Sequence, residues 1–115
     1  VIREQIEKGL DGIKRNQLKR ITIAYEPVWA IGTGLACLPA DVFQIKLFIR
    51  KILTNLYSRS LADSVKIIYG GSVNQKNALD YLKEAGVDGL LIGGFSLKIK
   101  EFLKLVKEIE NETFN

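Results

Sequence analysis

A short apolar strand predicted at residues 21–25 leads directly into the sequence Ala24-Tyr25-Glu26-Pro27-Val28-Trp29-Ala30-Ile31-Gly32-Thr33-Gly34. Glu26 is thereby expected at a strand end, where the strand and the fixed φ of Pro27 limit its backbone freedom. The glycines behind it have no Cβ, so their N–H groups can approach an anion closely. Apolar neighbours, above all Trp29, could exclude water from a closed loop and strengthen the carboxylate as a base. The alternative is a solvated glutamate before an ordinary loop, against which a large aromatic among glycines argues.

The composition of the 115 residues indicates one modest globular domain, since 47% of them are hydrophobic. The net charge is +4, but the basic residues are spread over helical stretches, which favours solvated helix faces over a nucleic-acid patch. No apolar run reaches membrane-spanning length and no signal peptide is visible, so we expect a cytoplasmic protein. Without a histidine to activate it, Cys37 is expected to be a small buried hydrophobe. No cluster of metal-ligating residues occurs in the sequence, so no metal is expected.

Hydrophobic periodicity predicts helices alternating with strands. The expected helices span residues 1–14, 39–57, 77–83 and 99–109, and the expected strands span 21–25, 65–69 and 89–92. The last helix is expected to turn Phe102, Leu103 and Val106 inward. This order is typical of βα crossovers onto a parallel sheet. Residues 67–72 also repeat as 90–95, a spacing that fits one βα unit of a barrel, although a doubly wound sheet uses such units too.

The second and third predicted strands both end in a glycine pair, Gly70-Gly71 and Gly93-Gly94, and both lead into a helix. Bare N–H groups at a helix N-terminus bind anions, and barrels commonly place a phosphate after their last two strands. This pattern predicts that Ser72, Gly93 and Gly94 donate to one phosphate. The alternative is two tight left-handed turns with no ligand.

Three segments together resemble the triosephosphate isomerase family: residues 24–34, Tyr69-Gly70-Gly71-Ser72-Val73, and residues 87–98. They occur in the family's order and at about its spacing, and the resemblance covers essentially the whole chain. It implies an α/β fold, namely the C-terminal part of a (β/α)8 TIM barrel from helix 5 to helix 8 with three parallel strands. Residues 1–115 would then form a partial TIM-barrel domain, incomplete at the N-terminus.

The resemblance also implies a function in glycolysis and gluconeogenesis. Glu26 would be the general base that interconverts dihydroxyacetone phosphate and D-glyceraldehyde 3-phosphate through an enediolate, without a cofactor. The implied ligands of the substrate phosphate are Gly32, Ser72, Gly93 and Gly94. The implied lid and latch residues are Pro27, Val28, Trp29, Ile31, Thr33, Gly34 and Tyr69.

Three departures from the family pattern stand near this site. The second lid hinge reads Leu35-Ala36-Cys37 where Lys-Thr-Ala is usual, Leu38 stands where a Ser or Thr caps the next helix, and Phe95 stands where Ala is usual. The resemblance further implies that an Asn, a Lys and a His come from an N-terminal part of the family's chain, and that full-length members are homodimers. We therefore expect negligible activity from the chain alone. The alternatives are a non-catalytic fragment or module that pairs with another chain, and another phosphate-binding barrel enzyme, such as one handling phosphoribosyl intermediates.

Overall fold

The structure is a computed structural model that describes residues 1–28 and 37–114. Helices and strands alternate along it as the periodicity predicts. In chain order the elements are α1 (Ile2–Gly9), β1 (Thr22–Tyr25), α2 (Pro39–Leu56), α3 (Arg59–Ser64), β2 (Lys66–Gly71), α4 (Ala78–Lys83), β3 (Gly89–Ile92) and α5 (Ile99–Phe114). Short 3-10 helices occur at Arg15–Arg20 and Gly94–Leu97.

The element boundaries differ from the predicted ones at glycine and at an unrecognised helix cap. α1 ends at Gly9 rather than near residue 14, and the chain turns at Gly12, whose φ of +81° suits only glycine. The segment 15–20, for which neither a helix nor a strand was predicted, forms a 3-10 helix. α3 was not predicted; it begins where the Ser58 side chain accepts a hydrogen bond from the Leu61 N–H.

The three strands form one parallel sheet in the order β1-β2-β3, which confirms the predicted parallel strands. Ile23 pairs with Ile67 and Tyr25 with Tyr69, so these four side chains share a face. That face packs against the helices, whereas Thr22, Ala24 and Leu91 on the opposite face are exposed. Helices on a single face are typical of a barrel wall, because a doubly wound sheet is covered on both faces.

Two clusters of buried side chains form the core between this face and the helices. The first lies nearer the carboxyl ends of the strands and contains Cys37, Val42, Tyr69, Val73, Ala78, Tyr81, Ala85, Val87 and Leu105. The second contains Ile6, Leu18, Ile49, Ile52, Leu53, Ala62, Val65 and Ile67. The predicted burial of Cys37 is confirmed.

The predicted inner face of the last helix is wrong. Leu105 is fully buried, whereas Leu103 and Val106 are about half exposed and Phe102 is partly buried. The exposed side of α5 and the segment before it therefore carry an apolar row, with Leu97 at 83% exposure and Ile99 at 70%. No helix within residues 1–28 and 37–114 is long and apolar enough to cross a membrane.

Arg50 of α2 forms hydrogen bonds and an ion pair with residues near the amino ends of β2 and β3. Its Nη1 donates to the Ala62 carbonyl over 2.6 Å and also to the Val65 carbonyl, at the point where β2 is about to begin. Its Nη2 lies 3.4 Å from Asp88 Oδ2, which in turn accepts the Ile67 N–H over 2.8 Å. This network fixes the starts of β2 and β3 relative to α2, and hence the level at which those strands end.

Replacing Arg50 should destabilise the fold because two part-buried carbonyls lose their donor. Arg50→Ala is expected to lower the free energy of unfolding by about 1–3 kcal/mol. The control is Lys8→Ala, which removes an exposed ion pair with Glu4 on α1 and should cost about 0.5 kcal/mol or less. Urea unfolding followed by circular dichroism measures both variants. Equal losses in the two would contradict the role given to Arg50.

Candidate active site

The carboxyl ends of the three strands meet at one cleft. Its volume is about 600 Å³ and it is lined by Glu26, Gly71, Ser72, Val73, Asn74, Leu91, Ile92, Gly93, Gly94 and Phe95. The parallel register produces this arrangement, because Tyr25 pairs with Tyr69 and Gly71 pairs with Ile92. The residue after each strand therefore lies at the same edge of the sheet. Four of the predicted site residues, Glu26, Ser72, Gly93 and Gly94, are brought together here.

Glu26 lies against the backbone of Gly70 on the open face of the sheet. A Cβ added to Gly70 would approach Glu26 Cγ to 2.8 Å and Glu26 Oε1 to 3.0 Å. Only a residue without a side chain leaves this space to the carboxylate. The Glu26 side chain is exposed, and its neighbour Pro27 is buried, so the backbone is fixed directly behind a carboxylate that faces the cleft.

The second glycine pair has a different environment. A Cβ at Gly93 or Gly94 would meet no atom within 4 Å, and both residues are exposed on the cleft wall. None of the four paired glycines has a positive φ; the only described glycines that do are Gly12 and Gly86. The alternative of two left-handed turns is therefore wrong. Open backbone at Gly93 and Gly94 is what an anion held by N–H groups needs.

Ser72 is held by an asparagine network that the sequence analysis did not recognise. The Asn77 Nδ2 donates to the Ser72 carbonyl over 2.8 Å, and the Asn77 Oδ1 accepts the Asn74 N–H over 2.8 Å. The Asn74 Oδ1 accepts the N–H groups of Lys76 and Asn77. The network fixes the turn between β2 and α4, so Ser72 stays at the cleft wall. The signal in the sequence is the pair of asparagines three residues apart after Gly-Gly-Ser-Val.

Tyr69 lies beneath the cleft, fully buried, with its hydroxyl accepting the Cys37 N–H over 3.2 Å. This contact is what a latch at Tyr69 would use, and the latch role stays a prediction. A second tyrosine, Tyr81 of α4, donates its hydroxyl to the Cys37 carbonyl over 2.5 Å. Nothing in the sequence pairs Tyr81 with Cys37, because the contact joins distant parts of the chain.

Burial controls the titration of this tyrosine and cysteine cluster. It raises the pKa of Tyr25 and of the Cys37 thiol, with a smaller increase from Asp41 in each case. Burial also raises the pKa of Tyr81 strongly, and a hydrogen bond with the Tyr69 side chain raises it further. The Tyr81 hydroxyl therefore remains a proton donor throughout the neutral range.

Several predicted lid residues lie outside the described residues, namely Trp29, Ile31, Gly32, Thr33 and Gly34, as do Leu35 and Ala36 of the second hinge. Of the rest of the lid, Val28 is 84% exposed. Leu38 stands directly before α2, which has no side-chain hydrogen bond at its start. Phe95 lines the cleft and packs against the first core cluster, so its side chain forms part of the cleft's wall.

A second hollow of about 710 Å³ runs along the unpaired edge of β1. It lies between that strand and α1 and is lined mainly by apolar side chains, six of them isoleucines, with Glu26, Pro27 and Val28 at one end. Within the described part of the chain, no three histidine, cysteine, aspartate or glutamate residues are grouped so that they could hold a metal ion.

Comparison with known proteins identifies the family. The profile of the family described as triosephosphate isomerase matches residues 1–109. The chain belongs to the triosephosphate isomerase family. This membership removes the alternative of another phosphate-binding barrel family.

The curated relatives bear the same name. The triosephosphate isomerase of Borrelia garinii subsp. bavariensis is 44% identical over 109 residues, covering 95% of this chain and 43% of the relative. That of Carboxydothermus hydrogenoformans is 46% identical over 107 residues, covering 93% of this chain and 43% of the relative. That of Protochlamydia amoebophila is 46% identical over 108 residues, covering 94% and 41%. The chain thus spans well under half the length of the triosephosphate isomerases it matches.

The raised pKa values predict a loss of stability at alkaline pH. The folded state keeps Tyr81 protonated, whereas in the unfolded chain the hydroxyl titrates at its ordinary pKa of 10.0. The stabilisation is therefore present below pH 10 and is lost as the pH rises further. For Cys37 the loss starts from the ordinary thiol pKa of 9.0. The slope for Tyr81 is at most about 1.4 kcal/mol per pH unit. Urea unfolding from pH 7 to 11 should show a shallower decline in Tyr81→Phe; an identical decline would contradict the assignment.

Proposed function

We propose that this chain supplies the general base and the phosphate site of a triosephosphate isomerase, which interconverts dihydroxyacetone phosphate and D-glyceraldehyde 3-phosphate. The observation that carries the proposal is the single cleft that Glu26 shares with Ser72, Gly93 and Gly94. A carboxylate at one wall and open backbone N–H groups at the other suit a small substrate with an anionic end. Family membership supplies the substrate class.

In this reaction Glu26 takes a proton from the carbon next to the substrate carbonyl, and the electron pair moves onto the carbonyl oxygen to give an enediolate. Glu26 then returns the proton to the neighbouring carbon, and the hydroxyl proton on the first carbon's oxygen moves to the former carbonyl oxygen. With both proton transfers, atoms and electrons balance without a cofactor. The phosphate is held by N–H groups at Gly93 and Gly94 and by Ser72. Binding energy at this remote group holds the reacting carbons at the carboxylate. Gly32 and the remaining lid residues belong to the same proposal.

The enediolate oxygen also needs a donor that polarises the carbonyl, and this chain has no histidine. The chain spans about 43% of its relatives, so we place that donor in a part of a family-length protein outside these residues. The isolated chain should then have negligible turnover. The alternative, a non-catalytic module that pairs with another chain, is favoured by the apolar hollow beside β1 and the exposed row on α5.

A hybrid protein tests the role of Glu26 directly. This chain replaces the matched segment of the Carboxydothermus hydrogenoformans relative, and turnover of glyceraldehyde 3-phosphate is measured. The hybrid should be active, and Glu26→Gln should lower kcat by about 10²–10⁴-fold, because the variant keeps the shape but loses the base.

The matched control is Glu4→Gln, which removes an equal charge from the surface of α1, where Glu4 pairs with the exposed Lys8. Its kcat should stay within about twofold of the unmodified hybrid. A hybrid that folds but turns over no substrate would favour the non-catalytic module. Full activity in Glu26→Gln would remove Glu26 from the mechanism.

Gly70→Ala tests the position of the carboxylate rather than its chemistry. The added methyl group would overlap Glu26 Cγ, so the side chain must move from the cleft wall. We expect kcat of the hybrid to fall by about 10²-fold, since small misplacements of a reacting group are costly. Gly9→Ala is the control, because a Cβ there meets nothing within 4 Å. An unchanged kcat in Gly70→Ala would show that Glu26 does not react from the position described.

A further inference from the structure

Tyrosine hydroxyls bind both backbone polar groups of Cys37. The Cys37 N–H donates to the Tyr69 hydroxyl over 3.2 Å, and the Tyr81 hydroxyl donates to the Cys37 carbonyl over 2.5 Å. All three residues are buried, with Tyr81 1% and Cys37 6% exposed. Buried backbone groups without partners are costly, so these two contacts hold the Cys37 backbone to β2 and α4.

The position of Cys37 in the chain gives this contact its importance. Residues 29–36 connect Val28, which is exposed, to Cys37, which is buried directly before α2. Cys37 is therefore the first described residue after Val28, and it fixes the chain to the core directly before α2. The hydroxyl of Tyr81 fixes that point from the side of α4.

Tyr81 also supports the floor of the cleft through Tyr69. The two rings pack with centroids 4.3 Å apart and an interplanar angle of 32°. Tyr69 in turn occupies the space in front of Gly71, where an added Cβ would lie 2.9 Å from Tyr69 Cζ. Gly71 lines the cleft. One side chain of α4 thus contacts both the anchor at Cys37 and the ring that supports Gly71.

We propose that Tyr81 is a positioning residue of the cleft: its hydroxyl fixes Cys37 and its ring fixes Tyr69 beneath Gly71. The effect on a triose phosphate rests on the proposed function, whereas the anchoring of Cys37 does not. Phenylalanine at this position would keep the ring packing and remove the hydroxyl, with both its donation to the Cys37 carbonyl and its hydrogen bond with the Tyr69 side chain. The hydroxyl can therefore be tested separately from the volume of the side chain.

Cys37 itself is the reporter, because it is the single cysteine of the chain. Under native conditions its thiol reacts with a disulfide reagent such as Ellman's reagent only when the anchor opens. Tyr81→Phe leaves a buried carbonyl without its donor, which should raise the labelling rate by about 5- to 150-fold. The rate is followed by absorbance in the absence of denaturant.

Tyr57→Phe is the matched control. The Tyr57 hydroxyl also donates to a backbone carbonyl, that of Ile13 at 2.9 Å, but it packs against the second core cluster. Its labelling rate should match that of the unmodified chain even if its global stability falls. Equal acceleration in both variants, or none in Tyr81→Phe, would overturn the proposal.

A measurement on the unmodified chain remains decisive if Tyr81→Phe fails to fold. Hydrogen exchange of the Cys37 amide should be much slower than that of an exposed amide, because its donation to the buried Tyr69 hydroxyl must break first. Fast exchange at Cys37 would overturn the proposal regardless of any variant.

The active hybrid separates positioning from stability alone. Tyr81→Phe should raise KM for glyceraldehyde 3-phosphate by about 3- to 10-fold with kcat within about twofold, since a displaced cleft floor weakens substrate binding. Tyr57→Phe should leave both constants unchanged. An unchanged KM in Tyr81→Phe would overturn the proposal that Tyr81 positions the cleft. An inactive hybrid that still shows the difference in thiol labelling would contradict the proposed function and leave the Cys37 anchor supported.

Discussion

The parallel register of β2 with both of its neighbours is the constraint on which the site depends. Tyr25 lies level with Tyr69, and Gly71 lies level with Ile92, so the residues that follow the three strands emerge at one edge. A slip of one residue would turn every side chain of a strand to the opposite face. Glu26 would then point toward the helices and Tyr69 toward the open face. The register thus decides both the composition of the core and the composition of the cleft.

The two glycine pairs look equivalent in the sequence, but glycine suits each position for a different physical reason. Gly70 and Gly71 are required by their neighbours, because the Glu26 side chain and the Tyr69 ring occupy the space of their missing Cβ atoms. Gly93 and Gly94 have no such neighbour and leave exposed backbone at the cleft wall. The first pair therefore positions the carboxylate and the second leaves room for a ligand. Only the second pair has the character of an anion site.

Sequence reasoning succeeded where a local pattern decides the structure. β3 is an apolar run that ends at a glycine pair, and α2 begins at Pro39, so the bounds of both could be predicted. The position of Glu26 could be predicted because it directly follows the strand β1. It failed where contacts between distant residues decide the structure. The side of α5 that faces the core is the one that carries Leu105, which belongs to the first core cluster, and Leu103 is exposed. The contact of Tyr81 with Cys37 likewise depends on tertiary packing, and no spacing in the sequence predicts it.

The open face of the sheet and the Glu26 carboxylate belong to one surface. Glu26 borders both the cleft and the apolar hollow beside β1, and the exposed Ala24 and Leu91 lie on the same face of the sheet. Whatever covers this face to bury its apolar groups must also remove water from around Glu26. Desolvation strengthens a carboxylate as a base and strengthens every electrostatic contact near it. A surface that covers the apolar groups of this face would therefore also desolvate Glu26, the proposed base, so the two effects are physically coupled.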